Sequence, residues 1–596
     1  MKFSDSLRRL SLPVLLLIVA LLIPEMPSDN SSNSRHQIGV SVKKQSGSAE
    51  SGSRIASMID NFADENDLFN IREVRLSIDP KDFAFLFSHR PLSISSYQPG
   101  LVQTDEHPKP VSVRVRVRGH HYWHWLPEKP SLRLKVSDRH PLWGRNSIDL
   151  VNPEDPTMLA NIIGDHLALR LGLAASITRF CKLWINDSYY GLYHLTDRLE
   201  DTHLPRIGMP ASPVVEGNSW KLEMWQNPEL WDVHVKDPAI QSRTRKEFSV
   251  LLNTILPPVS AENLGRLITL IDPEAFARWS ALNVLMGSLH TDDYHNQHFL
   301  YDERHKRFIP AINDPSGFGS LTNTGLSFTK KDYEIPLYEY LTPFTNAAFR
   351  RYDLQFLRNK RLFEFMNGPC KADYMTKLAT RLFAAIRPFS AQDPHRSALI
   401  NLPHISFPLR LPISLETQAS AVSNLKYWIE QRDDFILSCL SSVSVRISPL
   451  AGEVASSAIC AFVVEVCGHA PIEWDLGAMT NLVILDTDLN KSIDGNDPVA
   501  SRVLRLYPGL REGSGSSIPW ISCKNRLLPF ILQPASQTYL IGFPASRTAE
   551  FLSALRNGKN SITGGNVSVS IASDSTAPEQ LYALTSCLHP WEERRP

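Results

Sequence analysis

Alternating apolar and polar residues predict the first strands of this chain. Residues 73–78 alternate in this way, and a helix start signal follows at Asp79 and Pro80. Residues 111–118 carry valine at every odd position with serine or arginine between them, and residues 132–136 repeat the alternation with leucine and valine. A period of two residues is typical of a strand with one buried face.

A helix and a hairpin are predicted next. Asp155 and Pro156 provide a start signal, apolar residues recur at spacings of three and four over residues 158–171, and Gly172 provides a stop. Residues 180–195 contain two β-forming runs around a short polar turn, which predicts a hairpin. Strands and helices that follow one another in this order indicate an α+β fold.

The second half of the chain divides into a helical part and a β-rich part. Amphipathic periodicity with few glycines predicts a helical lobe over residues 274–288 and 338–442, interrupted by a proline-rich loop at residues 388–412. Beyond it, short β-branched and aromatic runs separated by turn residues predict a β-sandwich-like domain. We therefore expect a main domain at residues 54–445 and a β-rich C-terminal domain at residues 446–596.

The N-terminus has the pattern of an export signal. Three basic residues precede the apolar residues 10–23, a run too short to span a bilayer comfortably. No A-x-A cleavage site follows, so an uncleaved anchor that attaches the protein to a membrane is an open alternative. We expect residues 1–27 to be this signal and the Ser-rich residues 28–53 to be a flexible linker. The protein would then be exported, as a secreted, periplasmic or cell-surface protein.

The balance of positive and negative residues argues against some classes of binding partner. The chain has 62 lysine and arginine residues and 62 aspartate and glutamate residues among its 596. No overall field therefore attracts nucleic acid or an anionic membrane, and we expect no nucleic-acid partner. Any site for a polyanion must be local.

The middle of the chain predicts a hairpin that gathers oxygen donors. Residues 297–312 are rich in β-forming residues on both sides of the polar turn 303–306. Folding about this turn pairs residues whose numbers sum to about 609 or 610. Asn296 therefore faces Asn313 or Asp314 at a strand spacing of about 5 Å.

Further groups complete a constellation suited to phosphoryl transfer. Asp292 and Asp293 precede the hairpin, and carboxylate and amide oxygens are the ligands that Mg²⁺ prefers. Phosphoryl transfer uses one acid to orient the attacking hydroxyl, and an amide with a second acid to hold the cation. Lys129, placed by strand parity on a polar face toward solvent or a cleft, offers a phosphate-facing cation. The alternative is that these acids and amides only begin and end strands.

Six pieces of the sequence form a recognisable collinear set. They are the Arg118-Gly119 pair with KPSLRLKV from Lys129, DPTMLANIIGDHLALRLG from Asp155, LWINDSYYGLYHLTDRLED from Leu183, DDYHNQHFLYD from Asp292, FIPAINDPSGFG from Phe308, and NLKYWIEQRDDFIL from Asn424. In this order they resemble the CotH kinases, a group of secreted atypical protein kinases typified by a spore-coat protein. The resemblance covers roughly residues 72–442, and the shared order is more specific than any one piece.

The resemblance implies a two-lobed, atypical protein-kinase-like domain and a reaction. ATP would donate its γ-phosphoryl group, with Mg²⁺ or Mn²⁺, to a serine or threonine of an envelope, coat or secreted protein. On matching positions, Asp292 or Asp293 would be the catalytic acid, and Lys129 would contact the phosphates.

The resemblance also implies the residues that hold the nucleotide and the metal. Asp314 would bind the metal with Asn296 beside it, and Arg118 would lie next to a turn that covers the nucleotide. Asp197 stands where the family tends to carry glutamate, and it would pair with Lys129 or help to hold the metal.

One departure from the family pattern bears on activity. Where the family often reads Trp-Asp-x-Asp before its Phe-Gly, this chain reads Asn313-Asp314-Pro315-Ser316, so the second acid is missing. Loss of one carboxylate weakens a divalent-cation site. An active exported kinase is therefore the first hypothesis, and a catalytically inactive binding or assembly module of the cell envelope is the second. Metal-dependent hydrolysis of ATP by the same acids is the third.

Overall fold

A computed structural model gives the arrangement of most of the chain. It describes residues 65–90, 92–119, 122–200, 203–217, 222–256, 259–288, 290–292, 296–316, 318, 332–340, 342–400, 409–449, 459–475, 483–486, 503–512, 530–544 and 547–571. The predicted signal and linker, residues 1–53, lie outside these ranges. Within them, no helix is both long and apolar enough to cross a bilayer.

The first seven strands close into a barrel. They are β1 (Arg72–Ser77), β2 (Gln98–Thr104), β3 (Val111–Val117), β4 (Leu132–Val136), β5 (Ser147–Val151), β6 (Thr178–Ile185) and β7 (Ser188–Asp197). Neighbours pair in the order β1-β2-β3-β4-β5-β7-β6, and β6 pairs in parallel with β1 to close the ring. The alternate valines and leucines fill the interior, as their period of two predicts.

Four helices accompany the barrel: α1 (Glu65–Leu68), α2 (Pro80–Ser88), α3 (Tyr122–Trp125) and α4 (Ala160–Arg170). Asp79 caps α2 by accepting a hydrogen bond from the Lys81 amide, as predicted. Helix α4 begins later than its start signal, because Asp155 caps a turn at Thr157 and Met158 adopts a left-handed φ of 64°. The predicted hairpin at residues 180–195 is confirmed as β6 and β7.

A four-stranded sheet and three helices follow the barrel. The strands are β8 (Val214–Gly217), β9 (Trp231–His234), β10 (His298–Asp302) and β11 (Arg307–Ala311), in the order β11-β10-β8-β9. The helices are α5 (Pro238–Ile255), α6 (Ala261–Leu270) and α7 (Pro273–Met286). Aromatic rings of α5 and of the sheet interlock, with the Phe248 centroid 5.6 Å from Phe299 and 5.2 Å from Phe308.

The helices predicted over residues 338–442 are largely confirmed, with one correction. They are α8 (Pro343–Phe349), α9 (Tyr352–Asn367), α10 (Ala372–Gln392) and α11 (Leu415–Ser441). The predicted proline-rich loop at residues 388–412 is wrong in part. Helix α10 continues past Pro388, and β13 (Ser397–Ile400) pairs antiparallel with β14 (Leu409–Pro412). A short strand, β12 (Glu339–Tyr340), precedes these helices.

The C-terminal part is built mainly from strands, as predicted. They are β15 (Val443–Pro449), β16 (Ile459–Gly468), β17 (Ile472–Asp475), β18 (Val483–Asp486), β19 (Val503–Leu506), β20 (Gly509–Glu512), β21 (Phe530–Ala535), β22 (Gln537–Pro544), β23 (Lys559–Asn560) and β24 (Ser568–Ile571), with the helix α12 (Thr548–Arg556). They form sheets in the orders β18-β22-β16-β15-β24, β19-β17-β23 and β12-β21-β20.

The C-terminal strands share a hydrophobic core with the helices. Ile436 of α11 and Val445, Val464 and Trp474 of the strands belong to one cluster of buried side chains. Strand β15 also crosses the predicted domain boundary at residue 446. The mixed α+β class is confirmed, and the sandwich-like packing of the C-terminal sheets stays a prediction.

Candidate active site

The central hairpin brings predicted oxygen donors to one end of β10 and β11. The two strands pair with residue numbers that sum to 609, as in His298 opposite Ala311. Continuing this register places Asn296 opposite Asn313, next to Asp314. The register predicted from the sequence is therefore confirmed.

The Asp314 loop is held in shape by a side chain of α4. The Asn161 amide nitrogen donates to Asp314 Oδ1 at 2.5 Å, and its oxygen accepts from the Ser316 backbone amide at 2.7 Å. Asp314 and Ser316 both have positive φ angles, 47° and 35°, which L-residues rarely adopt. One amide therefore stabilises an unfavourable backbone and orients the carboxylate, which stays 34% exposed.

His290 links Asp314 to Asn296. Its Nδ1 lies 2.7 Å from the Asp314 carbonyl oxygen, which can only accept, so Nδ1 carries the proton in this contact. The Nε2 atom then accepts from the Asn296 amide nitrogen at 3.0 Å. The structure thus brings together Asn296 and Asp314, which the sequence grouped, and links them through His290.

Asp292 follows His290 by two residues, and its carboxylate is already engaged. Its Oδ1 accepts from the hydroxyls of Thr342 and Thr345 at 2.6 and 2.5 Å, at the start of α8, and the residue is 3% exposed. These contacts tie the acid to the helical part. Asp293, its predicted alternative as catalytic acid, lies outside the described residues.

Lys129 does not lie on a polar face toward solvent, and this prediction is wrong. Strand β4 begins only at Leu132, and Lys129 is 1% exposed. Its ammonium donates to Asp393 Oδ2 at 2.6 Å and to the Leu192 carbonyl at 2.7 Å. Burial lowers the pKa of Lys129, and the Asp393 charge offsets part of that effect.

The predicted pairing of Lys129 with Asp197 is also wrong, and the alternative that Asp197 helps to hold the metal stays a prediction. Asp197 contacts Arg145 at 2.5 Å and the His203 ring at 3.1 Å, at the end of β7. Arg118, predicted near the nucleotide, forms an ion pair of 3.2 Å with Asp149.

Glu154 is a second acid in the electrostatic environment of Asp314. Burial, followed by the negative charge of Asp314, raises the pKa of Glu154 to about 7. His124 Nε2 lies 3.3 Å from the Glu154 carboxylate. The Arg410 guanidinium fixes the preceding backbone by donating to the Pro153 carbonyl at 2.8 Å. Neither Glu154 nor Arg410 was predicted, because neither stands in a recognisable motif.

The donor set fits a divalent cation that a nucleotide helps to bind. Among the described residues, no group of three or more histidine, cysteine, aspartate or glutamate side chains is arranged to hold a metal. Mg²⁺ usually takes only one or two carboxylates and completes its coordination with phosphate and water oxygens. Asp314 and Glu154 are two acids whose mutual repulsion such a cation would relieve.

The family comparison covers the segment that contains these residues. The family model described as CotH kinase protein matches residues 115–436, which is more than half of the chain. The chain belongs to the CotH kinase family. A search of curated proteins found no significant match.

The residues matched by the CotH kinase model include His290, Asn296 and Asp314. They also include Asn161 and Asp393, two further residues that sequence reasoning missed. Asn161 stands inside the quoted piece DPTMLANIIGDHLALRLG, where it is one of few polar residues among buried apolar ones, and this signal was available. Asp393 carried no such signal. It meets Lys129 across 264 positions of the chain, just after a helix whose last residues were predicted as a loop.

Proposed function

We propose that this CotH kinase family member is an exported, ATP-dependent protein kinase that phosphorylates serine or threonine on an envelope, coat or secreted protein. One observation supports this most strongly. Asp314 presents a partly exposed carboxylate whose direction is set by Asn161 and whose backbone is held by His290. Such a preorganised acid suits a cation bound to a triphosphate.

Each residue of the group has a stated task in this proposal. Asp314, with Glu154, would hold Mg²⁺ or Mn²⁺. When bound, this cation would neutralise charge on the phosphates. Asn161 and His290 keep the Asp314 loop in its strained conformation, and Asn296 fixes the His290 ring. Asp292 and Asp293 stay the predicted catalytic acids.

Lys129 is assigned a different task from the one predicted. Its ammonium is enclosed by Asp393, the Leu192 carbonyl and the Tyr193 ring, whose centroid is 4.8 Å away. A phosphate contact would require this buried ion pair to separate. We therefore propose that Lys129 connects the barrel to the end of α10 and acts on the site through that connection.

Phosphate transfer by the full chain tests the proposal. Purified protein is incubated with γ-labelled ATP, Mn²⁺ or Mg²⁺, and a mixture of unfolded serine- and threonine-containing proteins. We expect labelled phosphoserine or phosphothreonine with the wild type and at least a hundredfold less with Asp314→Asn. The control Asp373→Asn, which removes a surface acid 73% exposed, should label as the wild type does. Equal labelling by Asp314→Asn would refute the proposed role of Asp314.

Two observations favour the inactive binding module as the second candidate. Ser316 stands where the family often carries an acid, and Lys129 is already neutralised by Asp393. This candidate predicts no labelled protein under any of these conditions. Release of inorganic phosphate without labelled protein would instead indicate the third hypothesis, metal-dependent hydrolysis.

Export is proposed from the N-terminal sequence. The three basic residues and the apolar residues 10–23 support a signal that is either cleaved or retained as a membrane anchor. Fusing residues 1–27 to a reporter that works only outside the cytoplasm should give activity. Replacing two leucines in the apolar run with arginine should abolish it, and unchanged reporter activity would contradict the proposal.

A further inference from the structure

A cluster of uncompensated positive charge lies on the outer face of the barrel. Arg114 and Arg116 of β3 and Lys135 of β4 surround the ring of Tyr97, with their charged groups 5.4, 5.2 and 5.3 Å from its centroid. We call these four residues the Tyr97 patch. Each distance is within the range of a cation–π contact, so one ring gathers three cations.

The strand register makes this arrangement electrostatically unfavourable for the protein itself. Arg114 stands directly opposite Lys135, and Arg116 directly opposite Arg133. Like charges placed opposite each other on neighbouring strands destabilise a sheet. A neutral or acidic residue on one strand of each pair would stabilise the sheet better than two basic residues do. The basic residues in both pairs therefore require an explanation other than the stability of the sheet.

The acids of the barrel do not neutralise the patch. The single carboxylate of Asp149 binds Arg133 through both oxygens, at 2.6 and 2.8 Å, and also contacts Arg118. Within the described ranges, Arg114, Arg116 and Lys135 form no ion pair with an acid. Arg114 is exposed to solvent, so its charge is available to a partner.

We propose that the Tyr97 patch is a docking surface for an extended acidic segment of a protein. Residues two apart on a strand are about 6.8 Å apart, and neighbouring strands are about 5 Å apart. Arg114 and Arg116 therefore match the spacing of acidic residues at alternate positions of an extended polypeptide. The exposed Leu101, opposite Ser112 on the same face, adds an apolar contact beside the charges.

A polypeptide fits this surface better than other polyanions do. The chain as a whole carries no net charge, so no wide positive field attracts nucleic acid or an anionic bilayer. The attraction is confined to three cations, a tyrosine ring and a leucine. Mixed aromatic, apolar and charged contacts of this size suit a short protein segment.

The strand that carries the patch continues into Arg118. Arg118 follows Arg116 on the same face, one residue beyond the end of β3, and its guanidinium forms an ion pair with Asp149. The docking itself is independent of the proposed kinase activity, since it requires no nucleotide.

Peptide binding to the full chain tests the inference. The probe is a fluorescein-labelled peptide of twelve residues with glutamate at alternate positions, and the reference peptide carries glutamine there. We expect saturable binding of the glutamate peptide that weakens as salt rises. The variant R114Q/K135Q should bind at least about tenfold more weakly. The matched control K360Q/K371Q, which removes two exposed lysines from the helical part, should bind as the wild type does.

Two further controls separate loss of binding from unfolding, and peptide binding from binding of other polyanions. R114Q/K135Q removes two facing like charges and also their two cation–π contacts with Tyr97, and these effects oppose each other. Its melting temperature should therefore stay close to that of the wild type, which excludes loss of binding by unfolding. A single-stranded oligonucleotide of equal charge and vesicles with anionic lipid are tested in parallel. The inference is overturned if the glutamate peptide does not bind, if it binds R114Q/K135Q equally well, or if only the oligonucleotide or the vesicles depend on Arg114 and Lys135.

Discussion

Lys129 donates a 2.6 Å hydrogen bond to Asp393, and both side chains are shielded from solvent. The same Asp393 oxygen accepts from the Leu192 amide at 2.9 Å. One carboxylate therefore joins the segment before β4, the strand β7 and the end of α10. Because the pair is buried, its stability depends on both partners being present.

Removal of the Asp393 charge should destabilise the protein strongly. Asp393→Asn leaves the Lys129 ammonium buried without a counter-charge, which costs about 3 kcal/mol. The double variant Lys129→Met/Asp393→Asn should recover part of that loss, because it removes the buried charge. Urea denaturation gives the free energies of unfolding. The control Asp373→Asn breaks an exposed pair with Lys377 and should cost less than about 0.5 kcal/mol. If Asp393→Asn and Asp373→Asn lowered the free energy of unfolding equally, this account would be contradicted.

Two glycines should respond to alanine in opposite directions. Gly191 has a φ of +122°, and an added Cβ would overlap Asp393 Oδ1. Gly191→Ala should therefore lower the free energy of unfolding by about 2 kcal/mol or more. Gly265 lies in α6 with open space around it, so Gly265→Ala should raise stability by about 0.5 to 1 kcal/mol. Thermal melting of both variants tests the pair, and a tolerated Gly191→Ala would show that Asp393 lies elsewhere.

The stability of the protein should fall with rising pH because of Glu154. Burial and the Asp314 charge raise the folded-state pKa of Glu154 from 4.5 to about 7. The folded protein then binds this proton more tightly than the unfolded chain does. The stabilisation is therefore complete below pH 4.5 and is lost as the pH rises through 7.

Glu154→Gln checks this pH dependence. Between pH 5 and pH 8, the free energy of unfolding of the wild type should fall more than that of Glu154→Gln. The difference between the two falls should be up to about 3 kcal/mol. Glu128→Gln removes a charge from a largely exposed position and should keep the wild-type profile. Parallel profiles for Glu154→Gln and the wild type would exclude a raised pKa at Glu154.

Asn161 should matter more for the reaction than for stability. Asn161→Ala removes both hydrogen bonds of Asn161 to the Asp314 loop, and we expect phosphate transfer to fall about 10- to 100-fold. The free energy of unfolding should fall by only about 1 to 2 kcal/mol. A higher Mn²⁺ requirement would show that the loss acts through Asp314. Asn367→Ala, at an exposed helix end, is the control, and an unchanged Mn²⁺ requirement in Asn161→Ala would contradict the proposed clamp.

Local patterns were sufficient for several strands and for the central hairpin. The alternation in residues 111–118 and 132–136 gave β3 and β4, since one face of each strand had to be buried. The register of β10 and β11 followed from the position of a short polar turn. That turn placed Asn296 next to Asp314 without knowledge of the rest of the fold.

Interactions between distant residues could not be read in this way. Strand parity placed Lys129 on a polar face, but the chain leaves the strand before Leu132 and turns the side chain inward. Its partner Asp393 lies in a segment whose prolines suggested a loop, although Pro388 is accommodated inside α10. Local sequence gives no distance between two such segments, so the ion pair could be found only in the structure.

Binding of Mn²⁺–ATP tests most directly whether Asp314 is the centre of a nucleotide site. Calorimetric titration of the full chain should show saturable binding that requires both the cation and the nucleotide. Asp314→Asn should weaken this binding at least about tenfold, because it removes a charged cation ligand, while Asp373→Asn should leave it unchanged. Equal affinities for the wild type and Asp314→Asn, or no binding by the wild type, would contradict the account.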